Sequence, residues 1–242
     1  MVLAADSRGT FGDPRGITAQ NDAQQKAHIL SSHVGALVAG SGAVGSLVLD
    51  AVKQQIKDAR TDGATPVMNA LREHSRTSYN NWFPTVAAIP PAALAATGQV
   101  AVRPDLAFIV AGYETDNVTP RLYGLMSAFD FSPMLHDYGF AVTGVAQYAL
   151  YLLNRLYQSE RAVKELVSLA TYVITETASQ DGKVGGPVSV ITIKPGAEGC
   201  KTMSPEEVQE IEEANKNRSL SLRNSFYNNK KEEPSGNDPK PI

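Results

Sequence analysis

Met1-Val2-Leu3-Ala4-Ala5-Asp6-Ser7-Arg8-Gly9-Thr10 opens the chain, and its reading decides the fold. Residues 1–5 form a continuous apolar run, the pattern of a strand covered on both faces. Such a strand needs a partner on each side. The acid, hydroxyl and base that follow place polar chemistry at the strand's tip. The run is therefore expected to be the second element of a fold whose first element is missing ahead of Met1.

The next elements follow from turn residues and periodicity. Gly12-Asp13-Pro14-Arg15-Gly16 is a turn cluster, and residues 17–25 read as a polar loop. Residues 26–30 and 34–39 are strand candidates, the second running into Gly40-Ser41-Gly42. From Ala43 the period changes. Val44, Leu47, Val48, Ala51, Val52 and Ile56 then share one helical face. Gly63 closes that helix, and Thr65-Pro66 predicts a second, with Thr65 as N-cap, running to about Tyr79. Residues from about 80 to 104 read as an inserted loop or flap, with Trp82 and Phe83 as anchors. Residues 106–113 and 120–127 form a predicted hairpin, and residues 134–142 hold a short strand. Two helices follow, at about 145–157 with Tyr148, Leu152 and Leu156 on one face, and at about 160–177. A tight loop at 180–186 and a strand at 187–193 complete the pattern.

Strands and helices come in blocks. This predicts an α+β layered architecture and argues against a doubly wound fold. Ser204-Pro205-Glu206-Glu207 is a capping box that should start a short acidic helix ending near Asn215. Residues 230–242 have the composition of a disordered tail. The expected division is a domain over residues 1–200, with the insertion at about 80–104, and an extension over residues 201–242.

Composition narrows the function. The 242 residues are 43% hydrophobic and 19% charged, with a net charge of -3. That balance offers no electrostatic case for nucleic acid or an anionic membrane. The lone Cys200 fits a reducing compartment, and neither a signal peptide nor a membrane span is evident. A cytoplasmic location is expected. His28, His33, His74 and His136 lack metal-ligand spacing, so no metal site is expected.

Several motifs together resemble the proteasome β-subunits and their bacterial relatives, within the N-terminal-nucleophile hydrolases. The opening Val2-Leu3-Ala4-Ala5-Asp6-Ser7-Arg8 is similar to that family's second strand. Gly9, Thr10 and Gly12 follow it. Lys26 precedes Ala39-Gly40-Ser41-Gly42 at the spacing of the family's catalytic lysine. Residues 109–113 with 120–123 resemble its central hairpin, and Asp181 with Gly185-Gly186-Pro187-Val188 its Asp- and Gly-rich loop.

The resemblance implies a four-layer αββα sandwich with the first strand missing, and a threonine-type endopeptidase subunit. It implies that Lys26 lowers the nucleophile's pKa, that Asp6 holds Lys26, and that Asp181 orients the N-terminus. The Gly40 N–H would face the oxyanion. Gly9 and Thr10 would pair with substrate backbone, while Val38 and Gly42 line the side-chain pocket. Implied partners are homologous subunits in a ring, unfolded polypeptide substrates and an ATPase regulator. No cofactor is implied. The nucleophilic Thr itself is not present: Met1 has no hydroxyl, and Thr10 lies beyond the strand. Truncation ahead of Met1 is the expected reason, and the chain as given is expected to be inactive. A non-catalytic structural subunit is the alternative. Val184 in place of the loop's serine, and Ser41 in place of a glycine, depart from the family pattern.

Overall fold

The computed structural model describes residues 1–13, 16–83 and 104–227. It is a mixed α/β protein with antiparallel sheets. The strands are β1 (Val2–Ala5), β2 (Gly9–Asp13), β3 (Gly16–Asn21), β4 (Ala27–Ile29), β5 (Val34–Gly40), β6 (Leu106–Tyr113), β7 (Pro120–Met126), β8 (Met134–Leu135), β9 (Ser189–Lys194) and β10 (Gly199–Thr202). The helices are α1 (Gly42–Ala59), α2 (Ala64–Trp82), α3 (Ala146–Leu156), α4 (Val163–Gln180) and α5 (Pro205–Tyr227). Five strands pair in the order β4-β5-β6-β7-β8, three as β1-β9-β10, and β2 with β3 as a separate ribbon.

Strand alternation explains the packing. Val34, Ala36 and Val38 of β5 share a face with Phe108 and Val110 of β6. That face meets Val48, Leu49 and Val52 of α1 and Val67 and Leu71 of α2 in one core. The opposite face carries Ile109 and Ala111, which pack with Leu3, Ile191 and Ile193 of the three-stranded sheet. The far side of that second sheet presents Val188 and Val190, with Val2 and Ala4, to Val167 of α4 and Val208 of α5. Each fully buried side chain of this size contributes about 1.5–3 kcal/mol through lost apolar surface. These clusters hold fixed the strand ends that carry Asp6, Lys26 and Gly40.

Several expectations are corrected. Residues 17–25 are not simply a loop: β2 and β3 pair through them, with a register shift between Phe11 and Gly12. The exposed Thr10, Ala19, Gln20 and Asn21 give this ribbon no apolar alternation to read. In α1, Leu47 points to solvent at 60% exposure and Leu49 is buried instead. Gly63 is the N-cap of α2 at φ 94°, and Thr65 lies inside the first turn. Its hydroxyl donates to Glu114 at 2.5 Å instead of capping the helix. In α3, Tyr148 and Leu156 are exposed, and Ala149 is the buried residue.

The capping box at Ser204 forms as expected, with Ser204 N donating to Glu207 Oε2 at 2.8 Å and Glu207 N to Ser204 Oγ at 3.2 Å. The helix it starts runs well past Asn215, to Tyr227. Buried Asn215 extends it, donating to the Ser168 carbonyl at 2.9 Å and so tying α5 to α4. Most of the expected insertion, residues 84–103, and the expected tail, residues 230–242, lie outside the described residues. Among the described residues, no helix is long and apolar enough to cross a membrane.

Candidate functional site

The tip of β1 and the start of β4 meet at an ion pair. Lys26 Nζ donates to Asp6 Oδ1 at 2.7 Å. The other oxygen, Asp6 Oδ2, accepts the Arg8 N–H and the Gly185 N–H, each at 3.1 Å. Three donors thus fix this carboxylate, and side-chain exposures of 20% for Lys26 and 13% for Asp6 limit screening. An ammonium has three N–H donors. Among the described residues, Asp6 is the one hydrogen-bond acceptor of Lys26 Nζ, so two donors remain for a visiting group.

Lys26 faces a cleft of about 1440 Å³. Asp6, Gly9, Thr10, Val38, Gly40 and Gly42 line the same cleft. Gly40 ends β5 at φ +93°, and a Cβ there would lie 2.0 Å from the Asp105 carbonyl oxygen, so only glycine fits. Thr10 is exposed on the β2–β3 ribbon. Val38 is buried, and its N–H donates to the Lys26 carbonyl at 2.9 Å, which ties the lysine's backbone to β5.

Asp181 is not brought into this group. It follows α4, and its carboxylate accepts the Lys183 N–H at 2.8 Å within its own turn. The loop reaches the site through backbone instead. Gly185 N–H donates to Asp6, and the Gly185 carbonyl accepts the Ser7 N–H at 3.1 Å.

Sequence reading gave no part in the site to Arg8, Asp22, Gln24, Lys53 or His28. Arg8 grips Asp22 in a bidentate pair, with Nε at 2.7 Å and the second contact at 2.8 Å, and a third Arg8 N–H reaches the Gly182 carbonyl. This hydrogen bonding holds the Asp22 carboxyl below its ordinary range and raises Arg8. Gln24 lies between two glycines: a Cβ on Gly9 would fall 2.4 Å from its Cδ, and one on Gly42 would fall 3.1 Å from its Nε2. Deeper in, Lys53 Nζ donates to His28 Nδ1 at 3.2 Å, and His28 Nε2 donates to the Gln25 carbonyl at 3.1 Å. Burial, then Lys53, lowers the His28 pKa, so this imidazole is neutral. The one available signal was spacing: Arg8, like Asp6 and Lys26, flanks a strand end.

Chemically, the site offers a fixed cation beside a cleft. Such a charge lowers the pKa of a neighbouring hydroxyl and stabilises a developing oxyanion. Among the described residues, no group of three or more His, Cys, Asp or Glu could hold a metal ion.

No protein-family model matches the chain, and no curated protein does. Solved structures do. Anbu, the ancestral beta-subunit, from Yersinia bercovieri superimposes with a TM-score of 0.68 at 16% identity, over 94% of this chain and 92% of that chain. Anbu from Hyphomicrobium sp. strain MC1 gives 0.64 at 17% identity, and its Gly-1 mutant 0.65 at 18%, each over the same shares. Identities this low establish a shared fold and nothing finer. The family expectation is corrected accordingly. The neighbours are Anbu proteins, proteasome-like but distinct from the proteasome β-subunits that the motifs resemble. The physical reason is that a carboxylate–lysine pair and a glycine turn at strand ends suit any branch of such a fold.

Proposed function

We propose that this chain is a proteasome-like subunit with the four-layer αββα architecture, and that its Asp6–Lys26 pair serves threonine-type hydrolysis of polypeptides. The observation that carries the reading is the 2.7 Å contact between Lys26 Nζ and Asp6 Oδ1, with further Lys26 donors left at the cleft. The two stacked sheets with helices on both outer faces support the architecture. Gly9 and Thr10 would take substrate backbone, and Val38 and Gly42 its side chain. The Gly40 N–H would meet the oxyanion. Homologous subunits would be the assembly partners. Asp181 would act only through the loop that presents Gly185 to Asp6.

The hydroxyl nucleophile is the missing part. Among the described residues, no hydroxyl is hydrogen-bonded to Lys26. That observation favours a second reading, a structural subunit of a proteasome-like assembly. One assay separates the two: fluorogenic peptide hydrolysis by residues 1–242, and by a version fused ahead of Met1 to a strand bearing an N-terminal Thr. Hydrolysis by the fused version, lost with Lys26→Met, supports the enzyme. A folded but inert fused version supports the structural subunit.

A further inference from the structure

We infer that the side-chain pocket of the proposed site selects a carboxamide, so that polypeptides are bound at residues with an amide side chain, and that Gln24 is the residue that reads it. The inference rests on the proposed function and names its substrate class.

The backbone of Gln24 is fixed while its side chain is free. Gln24 N–H donates to the Ser7 carbonyl at 3.0 Å, and Ser7 Oγ donates to the Asp22 carbonyl at 2.7 Å. The turn that carries Gln24 is thereby tied to the residues just after β1. The side chain reaches between two glycines. A Cβ on Gly9 would fall 2.5 Å from Gln24 Nε2 and 2.8 Å from Oε1, and one on Gly42 would fall 3.1 and 3.2 Å from the same atoms. A side chain at either position would push the carboxamide aside, so the paired glycines keep it in place. Gln24 is half-buried and lines the cleft. Among the described residues, its carboxamide has no hydrogen-bond partner. Two N–H donors and one carbonyl acceptor are therefore available to a visiting group.

The wedge lies beyond the tip of β1. Gly9 begins β2, Gln24 sits between β3 and β4, and Gly42 begins α1. Its geometry is independent of what lies beside residues 2–5.

Chemistry then separates the side chains that could dock there. An apolar group would cover the carboxamide and replace none of its hydrogen bonds to water, which is costly. A carboxylate offers acceptors only, and leaves Oε1 facing a negative charge. Lys53, on the same cleft, does not rescue it. Its ammonium already donates to His28 Nδ1 at 3.2 Å and stands 4.0 Å from the Asp50 carboxylate, which would repel a second one. A cation offers donors only, and leaves the Gln24 N–H groups unmet. A second carboxamide matches both kinds of group at the spacing of Gln24 itself. The two amides then exchange a pair of N–H···O bonds, whichever way each is turned. A site built on such bonds rejects the analogue that lacks them.

The test titrates three blocked tripeptides, acetyl-Ala-Ala-X-methylamide with Gln, Glu or Leu at X, into residues 1–242. Binding is followed by the NMR signals of the Gln24 side-chain amide. The Gln peptide should shift them saturably and bind at least about tenfold tighter than the Glu or Leu peptide. In Gln24→Leu, followed by the Gly9 and Gly42 backbone amides, the Leu peptide should become the tightest, at an unchanged melting temperature. Equal affinities, tightest binding of the Glu peptide, or binding that leaves the Gln24 amide unshifted would each overturn the assignment. In the Thr-bearing fused version, a fluorogenic peptide cleaved after Gln should show kcat/KM at least about tenfold above its Leu counterpart. An inert fused version overturns the proposed hydrolysis alone, because the titration decides the pocket separately.

Discussion

Two carboxylates in this molecule gather donors in similar numbers and do opposite things with them. Asp6 accepts Lys26 and two backbone N–H groups at the cleft. Asp62, between α1 and α2, accepts Ser31 Oγ at 2.7 Å, Ser32 Oγ at 2.6 Å, His33 Nδ1 at 3.0 Å and its neighbour Gly63 N at 2.9 Å. Around Asp62 the donors are used up. The second ring nitrogen of His33 donates to the Gly196 carbonyl at 2.6 Å. Neither partner can donate, so both ring nitrogens carry protons and His33 is an imidazolium. Serine, histidine and aspartate sit together there, yet no hydroxyl is aimed at the imidazole, and no nucleophile is activated. Around Asp6, the lysine keeps unused donors on an open cleft. Composition alone would rank the Asp62 group as the more catalytic, and donor accounting reverses that order.

The largest effect expected from breaking this contrast is at Lys26. In the Thr-bearing fused protein, Lys26→Met should lower kcat/KM for a fluorogenic peptide by roughly 100-fold, the scale of removing one oxyanion-stabilising donor. Its urea midpoint should fall as well, because Asp6 keeps two backbone donors but loses its counter-ion. Asp62→Ala should act on stability alone. It strands an imidazolium and two hydroxyls, costing about 2 kcal/mol in urea denaturation after allowing for partial exposure, and should leave peptide hydrolysis unchanged.

A pH series sharpens the comparison further. The Gly196 carbonyl, then Asp62, raise the His33 pKa above its ordinary 6.5. A raised pKa stabilises the fold fully below 6.5 and loses that contribution as pH climbs through the folded value. Asp62 is held well below its ordinary 3.8 by Ser32, His33 and Ser31 against the cost of burial, so its share is present above 3.8 and fades at lower pH. The lock is therefore strongest between those two ordinary values. Cys200 nearby does not titrate in that window, since burial, then Asp62, push its thiol up to about 12. Melting temperature should fall from pH 6 to pH 8.5, and His33→Gln should flatten that fall. The smallest effect belongs to Ser32→Ala, which removes one exposed hydrogen bond and should cost about 0.5 kcal/mol by the same denaturation assay.

Legibility followed burial. Residues 106–113 read as a strand because β6 is covered on both faces. The end of α1 carried no such mark: Arg60, left-handed at φ 50°, stops it at Ala59, and the Gly63 expected to close it caps α2 instead. The β2–β3 ribbon and β10 escaped reading, since exposed residues such as Thr10, Ala19, Gln20 and Asn21 in the ribbon and Lys201 and Thr202 in β10 lack the alternation that marks a core. The long run of α5 escaped for the related reason that its second half has no buried face: Leu220, Leu222, Phe226 and Tyr227 are exposed along with its polar residues. At the site, Asp6 and Lys26 were singled out and do touch. Asp181 was singled out on a spacing that its carboxylate does not use. Gln24 left no signal because its part rests on close approach, and Gly185, though quoted in the loop motif, gave no sign that its backbone N–H is what reaches Asp6.

One anchoring point sets how freely this chain can vary in length. The Tyr79 hydroxyl, on the last turns of α2, donates to the Pro104 carbonyl just before β6. Phe83 stacks against the same ring, with centroids 5.1 Å apart. The two ends of the 84–103 connection are thus stapled to the core independently of what lies between them. For a flexible chain joining two fixed ends, closure grows costlier only logarithmically with length, by about 0.6 kcal/mol per doubling. That makes the Tyr79–Pro104 staple a natural port for inserted sequence, where a reporter or a foreign epitope can be carried at little thermodynamic expense.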